Sequence, residues 1–501
     1  MTPPRAARYL AVTLAISALA ISSAAGPAAA AVPKSQKLAT QLVKDVTVDG
    51  ANRHLIALQR IAERNGGNRA AGTPGHDESA AYVAKKLRDA GFIVKTPSFT
   101  FPSETLNSES LNVGAKAYPV TKMGASIGTS AAGVTATLVA VPVDADTGCT
   151  AADFAGQTFT GSIAVISRGG CPFAQKQATA AAAGAVAAVI YNNVAGALSG
   201  TTGEAGAIPV GQLSQADGQA LVAEAGSTAT LVLDYTFATV STKNVIAETR
   251  TGNPKNVVMA GAHLDSVPAG PGINDNGSGS AGLLETALKL GSSPKVGNAV
   301  RFAFWSAEEE GLLGSEAYVA SLSAEKQLDI AMYLNFDMIA SPNAAYFVYD
   351  GDDSDAVGAG SGPYGSAQIE KTLANYLNNK KGVPTEGTDF DGRSDYGPFI
   401  AVGIPSGGLF TGAEGIKTAE QAAKWGGTAG VAYDKCYHQA CDNLGNINRK
   451  AFNRNLDAVA WTIGIYAYST KSVNNNVDRA QARSLKASSS ALKFSGHHAL
   501  S

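Results

Sequence analysis

Asn256-Val257-Val258-Met259-Ala260-Gly261-Ala262-His263-Leu264-Asp265 is an apolar run that ends in an imidazole and a carboxylate. A run of this length without polar alternation reads as a parallel strand buried on both faces. Two more runs share the form: Ala299 to Trp305, followed by Glu308 and Glu309, and Ala331 to Phe336, followed by Asp337. Helical spacing separates them, over Ser280 to Leu290 and Leu312 to Leu322. Further on come a helix near Ser366 to Leu377, a strand near Gly407 to Phe410 and a long last helix from Arg449 to Tyr468. Such alternation implies an α/β fold, a doubly wound, mostly parallel sheet with helices on both faces. Sheets of this kind hold their sites at the carboxyl ends of the strands. Three strands then deliver imidazole or carboxylate to one edge.

Upstream, Ser35 to Asn65 reads as helical and Gly66-Gly67-Asn68-Arg69 as a turn. A second helix is expected over Ser79 to Ala90, closed by Gly91, with a strand from Phe92 to Phe101. From Tyr118 to Tyr235 the texture changes to short β-rich runs broken by Gly and Thr. Residues 118–240 are therefore read as an insert between two parts of one catalytic domain, 32–117 and 241–470. The stretch 471–501, rich in Ser, Asn and Lys, reads as a flexible or processed tail. Residues 1–31 have the form of an export signal: Arg5 and Arg8, an apolar stretch from Tyr9 to Ile21, then Ala29-Ala30-Ala31. A secreted, extracellular protein is expected, with no membrane span.

The chain has 501 residues, 45% of them hydrophobic and 16% charged, which places it among folded proteins of more than one domain. A net charge of -2 gives no reason to expect nucleic acid or an anionic membrane as partner. A monomer is expected. Four cysteines in an exported chain suit disulfides, and their spacing pairs Cys149 with Cys171 and Cys436 with Cys441.

Carboxylates that converge without basic partners repel one another, so their convergence calls for trapped protons or bound cations. Asp275 sits in the loop Pro271-Gly272-Ile273-Asn274-Asp275-Asn276-Gly277, where a carboxylate could bridge two metals. His438 sits in the Cys436 to Cys441 loop, which a disulfide would hold rigid. Taken singly, His263 reads as a core histidine, Glu308-Glu309-Glu310 as a helix start and Asp337 as a helix cap. The shared sheet edge is what those separate readings leave unexplained.

Five runs carry a specific resemblance: Gly261 to Val267, Gly272 to Gly279, Trp305 to Ser315, Asn335 to Met338 and Cys436 to Asp442. Together with Asn68 to Gly75, in this order and spacing, they resemble the secreted bacterial two-zinc aminopeptidases. The resemblance implies two zinc ions per chain, with His263, Asp275 and Asp337 on one, Asp275, Glu309 and His438 on the other, and Asp275 bridging. It implies that Glu308 is the general base for a hydroxide shared by ions roughly 3.5–4 Å apart. Asp265 would hold the far nitrogen of His263. Tyr437 would donate to the oxyanion, a bond worth roughly 2.7–4 kcal/mol. Arg393 and Phe410 would line the pocket for the first residue, with an apolar preference.

Gly161 to Phe173 and Ala183-Gly184-Ala185 resemble the protease-associated (PA) domain, so the insert is expected to be a lid or protein-contact surface. Calcium is left open, since Asp457 is present but Asn453 and Asn455 stand where further acids would be needed. The expected substrate is a peptide with a free amino end. Two alternatives stand beside it: a carboxypeptidase on the same scaffold, and a non-catalytic binding protein that uses the PA domain.

Overall fold

The computed structural model describes Met1 and residues 33–474 apart from Glu204 and Ala359. The expected export signal, and the expected tail beyond Asn474, lie outside the described residues. The beginning of that tail, Lys471–Asn474, is a short helix with Val473 buried.

Two eight-stranded sheets organise the chain. In the first, the order is Ile93–Lys95, Val245–Glu248, Asn298–Trp305, Asn253–His263, Ile330–Phe336, Ser406–Phe410, Phe347–Tyr349, Glu386–Thr388. The central strands, from Asn298–Trp305 to Ser406–Phe410, run parallel. The flanking strands add antiparallel pairs, so the sheet is mixed around a parallel centre. All seven residues of Ile330–Phe336 are buried, as are the last seven of Asn253–His263, because helices cover both faces. Register sets His263 beside Trp305 and Gly261 beside Asn335, so the three site-bearing strands end level.

Gly261 answers to a packing demand in the middle of that sheet. A Cβ there would lie 2.2 Å from the Tyr333 hydroxyl and 2.6 Å from Trp305 Nε1. Those two groups meet in a 2.8 Å hydrogen bond over the bare backbone. Beneath the sheet, Arg449–Tyr468 buries Phe452, Leu456, Val459, Ile463 and Tyr466, the recurring face of an amphipathic helix. Asn448 caps it by accepting from the N–H groups of Lys450 and Ala451.

The amino-terminal reading needs correction. The expected helix from Ser35 to Asn65 is two, Lys34–Asp45 and Val48–Arg64, because Thr47 turns out of helical geometry and caps the second at the Gly50 N–H. The next helix begins at Pro74 rather than Ser79: Thr73 caps it and Pro74 occupies the first turn, where its missing N–H costs nothing. The expected strand from Phe92 to Phe101 is divided between the two sheets, as Ile93–Lys95 and Ser98–Val113.

Ser98–Val113 pairs along its length with Thr228–Lys243, an antiparallel ribbon that joins the second sheet to the first. The body of the second sheet contains four strands in parallel succession, Val134–Ala140, Ile163–Ser167, Ala187–Tyr191 and Val210–Leu213. Helices Phe173–Ala182 and Gln215–Val222 pack with it, so this unit is α/β as well as β-rich. Disulfides join Cys149 to Cys171 and Cys436 to Cys441, the expected pairs.

Candidate metal centre

Each strand end places its polar residue above the sheet edge. His263 is the last residue of its strand, Glu308 and Glu309 follow Trp305, and Asp337 follows Phe336. Asp275 comes from the wide helical turn Ile273–Ser278, in which the Asp275–Asn276 peptide bond is cis. His438 comes from the loop closed by Cys436 and Cys441.

The five residues converge. His263 Nε2 lies 3.2 Å from Asp275 Oδ1 and 3.3 Å from Asp337 Oδ1. His438 Nε2 lies 3.3 Å from Asp275 Oδ2 and 3.0 Å from Glu309 Oε2. The two oxygens of Asp275 thus face different histidines. Glu308 Oε2 is 3.9 Å from His263 Nε2, beside the cluster.

Zinc fits this donor set. Two ligands about 2.0–2.1 Å from one tetrahedral ion stand about 3.3 Å apart, close to the separations found here. Glu309 Oε1 and Asp337 Oδ1 are buried without a hydrogen-bond partner, which burial tolerates poorly unless a cation takes them. Burial, reinforced by the Asp275 carboxylate, pushes Glu309 up to about 7. Burial likewise raises Glu308 well above the ordinary range, with Asp337, Asp395 and Glu309 adding to it against His263. Burial works against a charged His438, yet Asp275 and Glu309 outweigh it and lift its pKa to about 10. Buried carboxylates crowded in this way favour positive charge among them, whether as protons or as cations.

Around the cluster lies a layer of buried hydrogen bonds. Ser394 Oγ donates to Asp337 Oδ2 at 2.5 Å, Asn335 Nδ2 donates to Ser394 Oγ at 2.8 Å, and Tyr333 OH donates to Asn335 Oδ1 at 3.2 Å. With Trp305 Nε1 on Tyr333, this makes a chain from the core to Asp337. Asp442 accepts from the N–H groups of Asn274 and Asp275, at 2.8 and 2.9 Å. Asp434 accepts from Asn274 Nδ2 at 2.7 Å, so the disulfide loop and the Asp275 turn are tied together.

Asp265 stands differently from the expectation. His263 Nδ1 lies closer to the Asp265 main-chain oxygen, at 3.2 Å, than to its carboxylate, at 3.6 Å. The carboxylate instead accepts from the N–H groups of Glu308 and Glu309, each at 3.4 Å. Asp265 therefore joins the His263 strand end to the Glu308–Glu309 turn.

A cleft opens onto the cluster, and Arg393, Phe410 and Tyr437 line it with Met338, Tyr349 and Ala413. The Tyr437 ring stacks on His438, with centroids 3.8 Å apart. Arg393 Nη2 donates to the Tyr437 oxygen at 3.2 Å while Nη1 holds Glu414 at 2.7 Å. Ala307, Met338 and His438 adopt left-handed φ of 55°, 50° and 57°. Such conformations cost about 1–3 kcal/mol each and gather at functional sites. The acid considered for calcium, Asp457, is paired with the Lys381 ammonium, and Asn455 Nδ2 donates to the Ile339 carbonyl.

Sequence reasoning gave no role to Ser394, Asn335, Tyr333, Asp434 or Arg69, and none to Asp442 although it was quoted beside Cys441. Most of their partners are distant in sequence, so only the runs Asn68 to Gly75, Asn335 to Met338 and Cys436 to Asp442 could have pointed to Arg69, Asn335 and Asp442.

The model of peptidase family M28 matches residues 244–463, and that of the PA domain matches 134–221. A protein of Mycobacterium tuberculosis named a probable lipoprotein aminopeptidase is 48% identical over 87% of this chain and 88% of its own. Two solved structures are similar. One is an aminopeptidase from Aneurinibacillus, with a TM-score of 0.67 and 28% identity over 86% of this chain and 96% of that one. The other is a zinc aminopeptidase from Bacillus subtilis, with a TM-score of 0.60 and 27% identity over 85% and 96%. With this identity across nearly nine-tenths of the chain, and a site assembled at the strand ends of its sheet, the protein belongs to peptidase family M28 and contains a PA domain.

Proposed function

We propose that this chain is a secreted zinc aminopeptidase that removes the first residue from peptides with a free amino end. His263, Asp275 and Asp337 would hold one ion, and Asp275, Glu309 and His438 a second. The observation that carries the reading is the splayed Asp275 carboxylate, one oxygen toward His263 and one toward His438. When bound, zinc supplies Lewis acidity for the scissile carbonyl and lowers the pKa of water.

The protein's own residues do the rest. Glu308, beside the cluster but outside the assigned ligand set, accepts a proton from the attacking water and returns it to the leaving amine. Tyr437 OH donates to the oxygen that gains charge as the carbonyl is attacked. Met338, Tyr349, Phe410 and Ala413 offer an apolar wall to the first side chain.

We place the catalytic domain at 32–117 and 241–470, with 118–240 inserted as the PA unit; the second sheet supports an insert, and its strands Ser98–Val113 and Thr228–Lys243 extend past both of these boundaries as the connecting ribbon. Secretion is supported by the signal-like residues 1–31 and by two disulfides, which persist in oxidising compartments. Among the described residues no helix is long and apolar enough to cross a membrane.

The test uses leucine p-nitroanilide and its N-acetyl derivative. Hydrolysis of the first alone, lost on chelation and restored by zinc, is the expected result. Equal hydrolysis of both, or activity indifferent to chelation, refutes the reading.

A further inference from the structure

Arg69 is fully buried, yet among the described residues no carboxylate comes within 4.0 Å of its guanidinium. Its donors go instead to three main-chain carbonyls. Nε donates to Pro271 O at 2.8 Å, Nη2 to Gly272 O at 2.6 Å, and Nη1 to Leu264 O. The main chain of Arg69 is held as well: its N–H donates to Ser266 Oγ at 2.9 Å, and its carbonyl accepts from Ser266 N–H at 3.3 Å. Ser266 Oγ in turn donates to Gly270 O at 3.0 Å.

These bonds share one purpose. Leu264 adjoins His263, and Gly272 opens the turn that presents Asp275. The planar fork of one guanidinium therefore spans the interval between two residues assigned to the same ion, whose donor atoms stand 3.2 Å apart. Gly272 makes the approach possible: its φ is +59°, and a Cβ would lie 2.4 Å from Asp275 O and 3.2 Å from Arg69 Nη2. A lysine cannot replace this arrangement, because a single ammonium has no rigid fork to reach three carbonyls at once.

The charge matters as well as the shape. Burial lowers the Arg69 pKa to about 10, while Asp265, Asp442, Asp275 and Glu309 act to raise it, so it stays protonated at neutral pH. The guanidinium is thus a permanent positive charge behind carboxylates that must otherwise wait for cations.

We propose that Arg69 is a positioning residue for the metal centre, a built-in cation that fixes the span from His263 to Asp275 in its ligand geometry before any ion enters. The inference rests on reading those two residues as ligands of one ion. It adds that the geometry of that half-site depends on a residue nearly two hundred positions away in sequence.

The experiment compares the full-length wild type with Arg69→Lys, Arg69→Met and Ser266→Ala. Zinc affinity is read by competition with a chromophoric chelator, and the absorption of bound cobalt(II) reports ligand geometry. Wild type is measured first, so that a chain binding no zinc overturns the ligand reading rather than this one. Removal of groups that orient metal ligands typically costs roughly 10–100-fold in affinity, and Arg69→Lys is expected in that range, with an altered cobalt spectrum. Arg69→Met, which loses charge and fork together, is expected to fall further. Ser266→Ala keeps the guanidinium and frees one end of the clamp, so its loss should be smaller than that of Arg69→Lys. If Arg69→Met does not fold, the other two variants decide. Wild-type zinc affinity and an unchanged cobalt spectrum in Arg69→Lys overturn the proposal, even where thermal stability falls, since Arg69 is then a packing group alone. Should neither Arg69 variant fold, wild-type behaviour of Ser266→Ala overturns it.

Discussion

Replacing Ser394 by alanine tests whether the buried chain behind Asp337 orients that carboxylate. The hydroxyl donates to Asp337 Oδ2 at 2.5 Å and accepts from Asn335 Nδ2 at 2.8 Å, and all three side chains are buried. A hydrogen bond to a charged acceptor contributes about 1.5–3 kcal/mol. Losing it frees Asp337 to turn, and zinc affinity should fall roughly 10–100-fold. Asn335 Nδ2 is also left without its acceptor, which costs about 1–3 kcal/mol of fold stability whether or not zinc is bound. Two assays separate these effects: chelator competition reads affinity, and urea unfolding of the zinc-free protein reads stability. Tyr333→Phe supplies the second arm, because it unpairs Trp305 Nε1 and Asn335 Oδ1 without touching Asp337 or Ser394. Coupling between the two substitutions of about 0.5 kcal/mol or more in zinc affinity is expected if the chain acts as a unit. Wild-type affinity in Ser394→Ala, or strict additivity with Tyr333→Phe, refutes the reasoning.

Three further outcomes follow from the site. Glu308→Gln should keep its zinc, as shown by metal analysis, while kcat falls roughly 100- to 10,000-fold, since the carboxamide cannot take a proton. Tyr437→Phe should lower kcat roughly 100- to 1000-fold with little change in KM, because the hydroxyl acts on charge that develops only during attack. Phe410→Ala should reduce kcat/KM for leucine p-nitroanilide more than for the alanine analogue, by a difference of about 1–3 kcal/mol in transition-state binding.

The parallel centre of the sheet, and the arrival of His263, Glu308, Glu309 and Asp337 at one edge of it, are legible in the sequence because they depend on a local pattern. Continuous apolar runs such as Ile330–Phe336 can be buried only between two layers of helix, and the polar residue that ends each run must then appear at one edge. The last helix runs from Arg449 to Tyr468 as expected, and the spacing of four cysteines in a chain expected to be exported points to both disulfides.

What escaped depends on distant partners or on single dihedral angles. Thr47 breaks one amphipathic pattern into two helices without changing its period, so the break left no trace in the spacing. The ribbon Ser98–Val113 is defined by Thr228–Lys243, more than a hundred residues on. Asp265 is expected to hold the far nitrogen of His263, but its carboxylate is turned by the Glu308 and Glu309 N–H groups, which a strand pattern does not encode. The left-handed backbone at Ala307, Met338 and His438 falls on residues that do not favour it, so only the surrounding structure reveals it.

The central feature of the proposed site is Asp275, placed between two half-sites. Crystals of the zinc-loaded protein, measured on both sides of the zinc absorption edge, test it directly. Two anomalous peaks are predicted, one contacted by His263 and Asp337 and the other by Glu309 and His438, with one oxygen of Asp275 on each. A single peak, or zinc held without Asp275, contradicts it.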